Sequence, residues 1–94
     1  MKKVTFDEKL ESLVDETGAK YEGKKFWTIT AWVFAGQGSS DAASSEAQLK
    51  VADLAELNHA DAYQLIYVNT FDSRQEYDSN PYTAAATAIL YKSK

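Results

Sequence analysis

The chain has no cysteine, one proline, one histidine and four glycines among its 94 residues. Without cysteine there are no disulfides and no thiolate metal sites, so the fold must be held by its own packed core. With one imidazole and only scattered carboxylates besides, no metal or other cofactor is expected. No basic cluster is long enough to track a phosphate backbone, which argues against a nucleic-acid partner. The net charge of −4 arises entirely after residue 25, where eight acids face four bases, whereas residues 1–25 balance six against six. No stretch approaches the ~20 apolar residues of a membrane span. Lys2-Lys3 is followed by TFDEK and not by an apolar run, so a cytoplasmic location is expected of the sequence as it stands, and a periplasmic one if it is a mature fragment. Ninety-four residues suit one domain, able to bury roughly 60–65% of its unfolded surface.

What is present is periodicity. Thr5-x-x-Glu8 fits a capping box, and Phe6, Leu10, Leu13, Val14 and Thr17 share one helical face ending at Gly18, which predicts a helix over about 6–17. Its acids Asp7, Glu8, Glu11, Asp15 and Glu16 would form a solvated face. From Lys24 to Ala35 the period is two, with Trp27, Ile29, Ala31 and Val33 opposite Phe26, Thr28, Thr30, Trp32 and Phe34, which predicts a strand over 24–35. Residues 36–45 read as a polar connector with no phosphate-loop pattern. Ser45 with Gln48 fits a second capping box, and Ala47, Val51, Leu54, Ala55 and Asn58 make one stripe, predicting a helix over 45–58. Asn58-His59 offers the left-handed turn that glycine usually supplies. Alternating aromatic and branched residues predict strands over 62–71 and 83–92. The connection 72–82 holds the one proline and few apolar anchors, so mobility and tryptic cleavage near Arg74 are expected.

The elements therefore run α-β-α-β-β. The expected class is α+β: a two-layer sandwich with a three-stranded antiparallel sheet in the order 1-3-2 and both helices on one face. A right-handed crossover through the second helix would make the first two strands parallel to each other and the third antiparallel to both. KLESLVDETGAKY (9–21) and KVADLAELNHADAY (50–63) echo one another, which shared architecture explains as well as duplication does.

The stretch Thr28 to Leu57, then Ala60-Asp61-Ala62-Tyr63-Gln64-Leu65-Ile66 and Thr87-Ala88-Ile89-Leu90-Tyr91-Lys92, resembles the YdgH/BhsA/McbA-like family of small enterobacterial stress proteins. The likeness covers about 65 residues and is carried by packing motifs; His59 stands where that family has glycine, the 72–82 loop is longer, and the first helix is extra. The resemblance implies a βαββ domain linked to stress response or biofilm behaviour, usually periplasmic, with no catalytic residue to carry over. The YbjQ-like small domains share the helix-Gly-Ala-Asp-Ala-strand pattern and fit slightly less well.

Three functions compete. If Trp27, Ile29, Ala31 and Val33 face the helices, then Thr28, Thr30 and Trp32, joined by Tyr63, Tyr67, Thr87 and Tyr91, form an open sheet face. Large rigid side chains with polar tips suit an interface, so the first reading is a non-enzymatic module that self-associates, as a homodimer, or binds a protein partner. The alternative is a small acidic inhibitor or immunity-type protein, binding a basic partner through its acidic helix and the 72–82 loop. An enzyme would have to use His59 and Asp61, the one imidazole–carboxylate pair, and would need a pocket and a second polar group.

Overall fold

In the computed structural model, which describes residues 1–72 and 79–94 (for Ala35 the backbone alone), the longest strand has fifteen residues. At ~3.3 Å per residue it spans about 50 Å, and this sets the 50 Å long axis of the molecule. In chain order the elements are β1 Lys2–Asp7, β2 Ser12–Val14, β3 Lys20–Tyr21, β4 Gly23–Gln37, α1 Ser40–Leu57, β5 Ala62–Asp72 and β6 Tyr82–Ser93. The strands form one six-stranded sheet in the order β3-β2-β1-β5-β6-β4. β6 is antiparallel to β5 on one side and to β4 on the other; β1 joins β5 in parallel, and β2 and β3 follow it antiparallel. The expected three-stranded sandwich with two helices is thus corrected to a mixed six-stranded sheet with one helix, which packs across β4, β5 and β6.

The helix expected over 6–17 does not form; two strands and two turns occupy that segment. Asp7 takes the backbone N–H groups of Lys9 and Leu10 on its Oδ1 at 2.9 and 3.1 Å, and Glu11 adopts φ 51°, so the chain reverses and β2 returns along β1 with Asp7 opposite Ser12. Asp15 builds the next turn, accepting from Thr17 N (2.9 Å), Thr17 Oγ1 (2.5 Å) and Ala19 N (3.2 Å), while Gly18 supplies φ 86°. Short acidic side chains that bond their own backbone compete with a helix, and an isolated twelve-residue helix is marginal in any case. Burial decides the outcome. Phe6 and Leu10, the expected helix face, are 55% and 47% exposed, while Val4, outside that face, is fully buried where β1 pairs with β5.

The helix starts earlier than the Ser45 capping box predicts. Ser39 is the N-cap, its side chain accepting from Ala42 N at 3.1 Å, so residues 40–45 are helical and not a connector. Its buried stripe is Ala43, Ala47, Val51 and Ala55, and it lies on Ala84, Ala86 and Ala88 of β6 with Ala31 and Val33 of β4. Small residues on both surfaces let helix and sheet backbones approach closely, and Ile29, Leu54, Leu65 and Val68 seal the rim.

The sheet curls strongly. β3 and β6 are four strand spacings apart in the order, about 19 Å if flat. Yet the Tyr21 ring meets the Tyr91 ring edge-on at 6.2 Å and its hydroxyl lies 3.2 Å from Ser93 Oγ. The curl makes a second small core from Val4, Tyr21, Ala62 and Tyr91, on the sheet face opposite α1. Glycine is needed where the curl is tightest: a Cβ at Gly23 would sit 2.7 Å from the Tyr21 ring and 2.8 Å from the Lys92 carbonyl. Gly36 is similarly constrained by the Asn80 backbone. Part of the expected 72–82 loop, including the tryptic site at Arg74, lies outside the described residues.

Candidate interaction surface

The face of the sheet opposite α1 is built in rows across β4, β6 and β5. Lys25, Tyr91 and Ala62 form the lowest row, followed by Thr28–Ile89–Gln64, Thr30–Thr87–Tyr67 and Trp32–Ala85–Asn69. The lower rows are closed. Tyr91 is 9% exposed beneath Val4 and Tyr21, and its hydroxyl donates to Gln64 Oε1 at 2.8 Å. Burial pushes the Tyr91 hydroxyl above its ordinary pKa, with the neighbouring Tyr21 adding to the effect.

The upper rows stay open. Thr87 is buried in their floor, and its Oγ1 lies 3.0 Å from Thr30 Oγ1, so neither hydroxyl lacks a partner. Ala85, with no side chain beyond Cβ, separates Trp32 from the β5 side chains and leaves room above it. There the Trp32 and Phe71 rings stack, 6.0 Å between centroids and 16° from parallel. Trp32 is 49% exposed, Tyr67 52% and Phe71 43%, giving an uncovered aromatic patch, while Phe34 lies at the β4 edge with the Lys50 ammonium of α1 over its ring. Monomers seldom leave large aromatic side chains grouped in this way without a use for them.

Of the expected surface residues, Thr30, Trp32 and Tyr67 share the open half, Thr28 is exposed at its lower margin on β4, Thr87 is its floor, and Tyr91 is covered by the N-terminal strands. Tyr63 is corrected to the other face, where it packs with Leu65 and Val68 against the helix-side core. The cause is a β-bulge between Leu65 and Tyr67, which adds one residue and reverses the alternation beyond it. Tyr63 and Tyr67, which strict alternation puts together, end on opposite faces. Burial raises the Tyr63 pKa, and the charge of Glu16 adds to it. Phe71, four residues beyond Tyr67 with regular pairing between them, shares the open face with it and joins the patch, although it is not among the expected surface residues.

His59 and Asp61 do not form a dyad. The Asp61 carboxylate accepts from Ser93 N at 2.7 Å, and its own N–H donates to the Tyr91 carbonyl at 2.9 Å, which ties the start of β5 to the end of β6. His59 takes φ 59° just beyond the helix, its N–H donating to the Glu56 carbonyl and that of Ala60 to the Ala55 carbonyl, both at 3.0 Å. Those two bonds define a Schellman turn. The Lys92 ammonium donates to the His59 carbonyl. Among the described residues no hydrogen bond joins the imidazole to the carboxylate, and no group of three His, Asp or Glu could hold a metal ion. The acids expected on one helical face are split between turns instead, Asp7 and Asp15 being engaged with backbone.

No protein-family model matches the chain, and no curated protein or solved structure matches it significantly. No helix of the described residues is long and apolar enough to cross a membrane.

Proposed function

We propose that this domain is a non-enzymatic interaction module that receives a protein partner on the open upper half of its sheet, around Trp32, Phe71 and Tyr67. The observation that carries the reading is the exposed Trp32–Phe71 stack: two rings already ordered against each other, on a rigid sheet, with no element of the described chain above them. Rigid aromatic anchors give up little conformational entropy on binding, and they dominate the energetics of interfaces. The hydroxyls of Thr28, Thr30 and Tyr67 around the stack supply the polar rim such an interface needs.

Photo-crosslinking tests this directly. A benzophenone amino acid replacing Tyr67 should give one discrete adduct in cells that express the protein, its mass distinguishing a second copy from another protein. The same group at Leu49, on the exposed side of α1 (62% exposed), serves as control. Equal labelling from both positions, or none from position 67, would remove the basis for the reading.

A further inference from the structure

β4 is the last strand of the sheet, and its outer edge has no paired strand among the described residues. Natural edge strands are usually protected by charge, proline, a bulge or brevity. The stretch Thr28–Val33, TITAWV, has none of these: its register with β6 is unbroken from Trp27 to Val33, and it holds no charged residue. One guard comes from the helix. The Lys50 ammonium donates to the Trp32 carbonyl at 2.8 Å, which shows that residues of this parity, Thr28, Thr30 and Trp32, turn their peptide groups outward. A shallow groove of about 360 Å³, bordered by Thr30, Trp32 and Phe34 with Lys50, Asp53 and Leu54, follows this edge.

We infer that the outer edge of β4 pairs antiparallel with β4 of a second copy about a two-fold axis at Thr30, making one continuous sheet through both chains. The strand is its own complement in that register. Thr30 faces Thr30, Thr28 faces Trp32 and Ile29 faces Ala31, so aromatic meets β-branched on one sheet face and aliphatic meets aliphatic on the other. Charge fits a second copy as well. Lys24 and Lys25, at one end of the strand, lie towards the partner's Gly36 end, near the acidic first turn of its helix at Asp41, and the charged residues bordering the edge groove itself, Lys50 and Asp53, are of opposite sign. The partner's Thr28 N–H takes over the Trp32 carbonyl from Lys50, so Lys50 acts as a removable cap. The surface used is the strand edge and not the aromatic face, so this inference stands or falls independently of the proposed partner site.

Sedimentation equilibrium across micromolar to millimolar protein provides the test, with three variants. Thr30→Pro removes an outward N–H from each copy and should weaken the dimer at least about tenfold, with its circular dichroism unchanged. Lys50→Ala uncaps the edge and should tighten it about three- to tenfold. Thr30→Cys reports the register even where Thr30→Pro fails to fold. Paired residues about the axis have Cα atoms ~5.5 Å apart, within disulfide reach, and the chain has no other cysteine. Mild oxidation should therefore link Thr30→Cys far faster than Leu49→Cys. A wild type monomeric at millimolar concentration overturns the inference. So does a dimer that survives a folded Thr30→Pro, a dimer lost in Phe71→Ser instead, or equal linking of the two cysteine variants.

Discussion

Replacing His59 with glycine should make the protein more stable. At φ 59° a residue with a Cβ crowds its following carbonyl, at about 1–2 kcal/mol; histidine is among the side chains that tolerate this best, so the lower half of that range applies. Glycine removes the crowding but gains freedom in the unfolded chain, which costs about 0.4–1 kcal/mol. The difference leaves a net gain of roughly 0.5 kcal/mol. Nothing offsets it, because every hydrogen bond at this position uses backbone atoms: the N–H to Glu56, and the carbonyl that accepts from Lys92. The His59→Ala variant, with a Cβ and no capacity for local polar bonding, should instead be the least stable of the three. Urea unfolding followed by tryptophan fluorescence should show a midpoint shift at unchanged m-value, and the melting temperature should rise by about 2–4 °C for the glycine variant. A glycine variant less stable than the wild type would show that the imidazole makes contacts of its own, and His59 would return as a candidate functional group.

Val51→Ala removes two carbons from a fully buried position under α1 and should cost about 2–3 kcal/mol by chemical denaturation; a loss below about 1 would mean the helix is not seated on the alanine face. Trp32→Ala should cost about 2 kcal/mol, roughly half a buried tryptophan truncation, and leave the circular dichroism intact; unfolding would place Trp32 in the core. Hydrogen bonds from Thr17 hold the Asp15 carboxyl below its ordinary value of 3.8, with Lys2 at 3.9 Å assisting. Its contribution to stability is therefore complete above that pH and disappears as pH falls through the lowered value, and an NMR titration midpoint for Asp15 at or above 3.8 would contradict the turn. Deleting Ile66, the extra residue of the β5 bulge, would join Leu65 to Tyr67 in regular alternation, which keeps Tyr67, Asn69 and Phe71 on the open face and Val68 beneath the helix. A folded variant that still unfolds cooperatively is the expected outcome, and loss of cooperative unfolding would refute the bulge assignment.

The fold was legible where burial follows a simple period. Lys24–Ala35 alternates through twelve residues, and the structure has β4 over Gly23–Gln37; the stripe through Ala47, Val51 and Ala55 is the stripe that α1 buries. Segment 1–22 misled because two signals agreed by accident. Thr5-x-x-Glu8 has capping-box spacing and Phe6, Leu10 and Leu13 have helical spacing, but Asp7 and Asp15 can equally take backbone N–H groups in turns. The choice between them rests on a non-local event, the parallel pairing of Lys2–Val4 with Ala62–Gln64, which local propensity does not encode. Ser39 was hidden for a milder reason: the run of serines from 39 to 45 offers several capping positions, and the earliest one wins because Ala43 can then be buried as well.

The candidate surface shows how a single residue limits such a reading. On β4 the row Thr28, Thr30, Trp32 was readable directly, because from Trp27 to Val33 the strand keeps its register with β6. On β5 the same rule fails at Ile66. Val68 can follow Leu65 into the helix-side core only if one residue is added between them, and that residue then carries Tyr67 and Phe71 to the opposite face. The stacked pair at the centre of the proposed site therefore exists because of a bulge whose driving force lies on the other side of the sheet. Its lower limit is set elsewhere again. The N-terminal strands, by curling until Tyr21 meets Tyr91, close the lower rows and leave only the upper ones for a partner. The extent of the surface is thus fixed by two packing events, the seating of Val68 under α1 and the burial of Val4 against Ala62, neither of which involves a residue of the open patch itself.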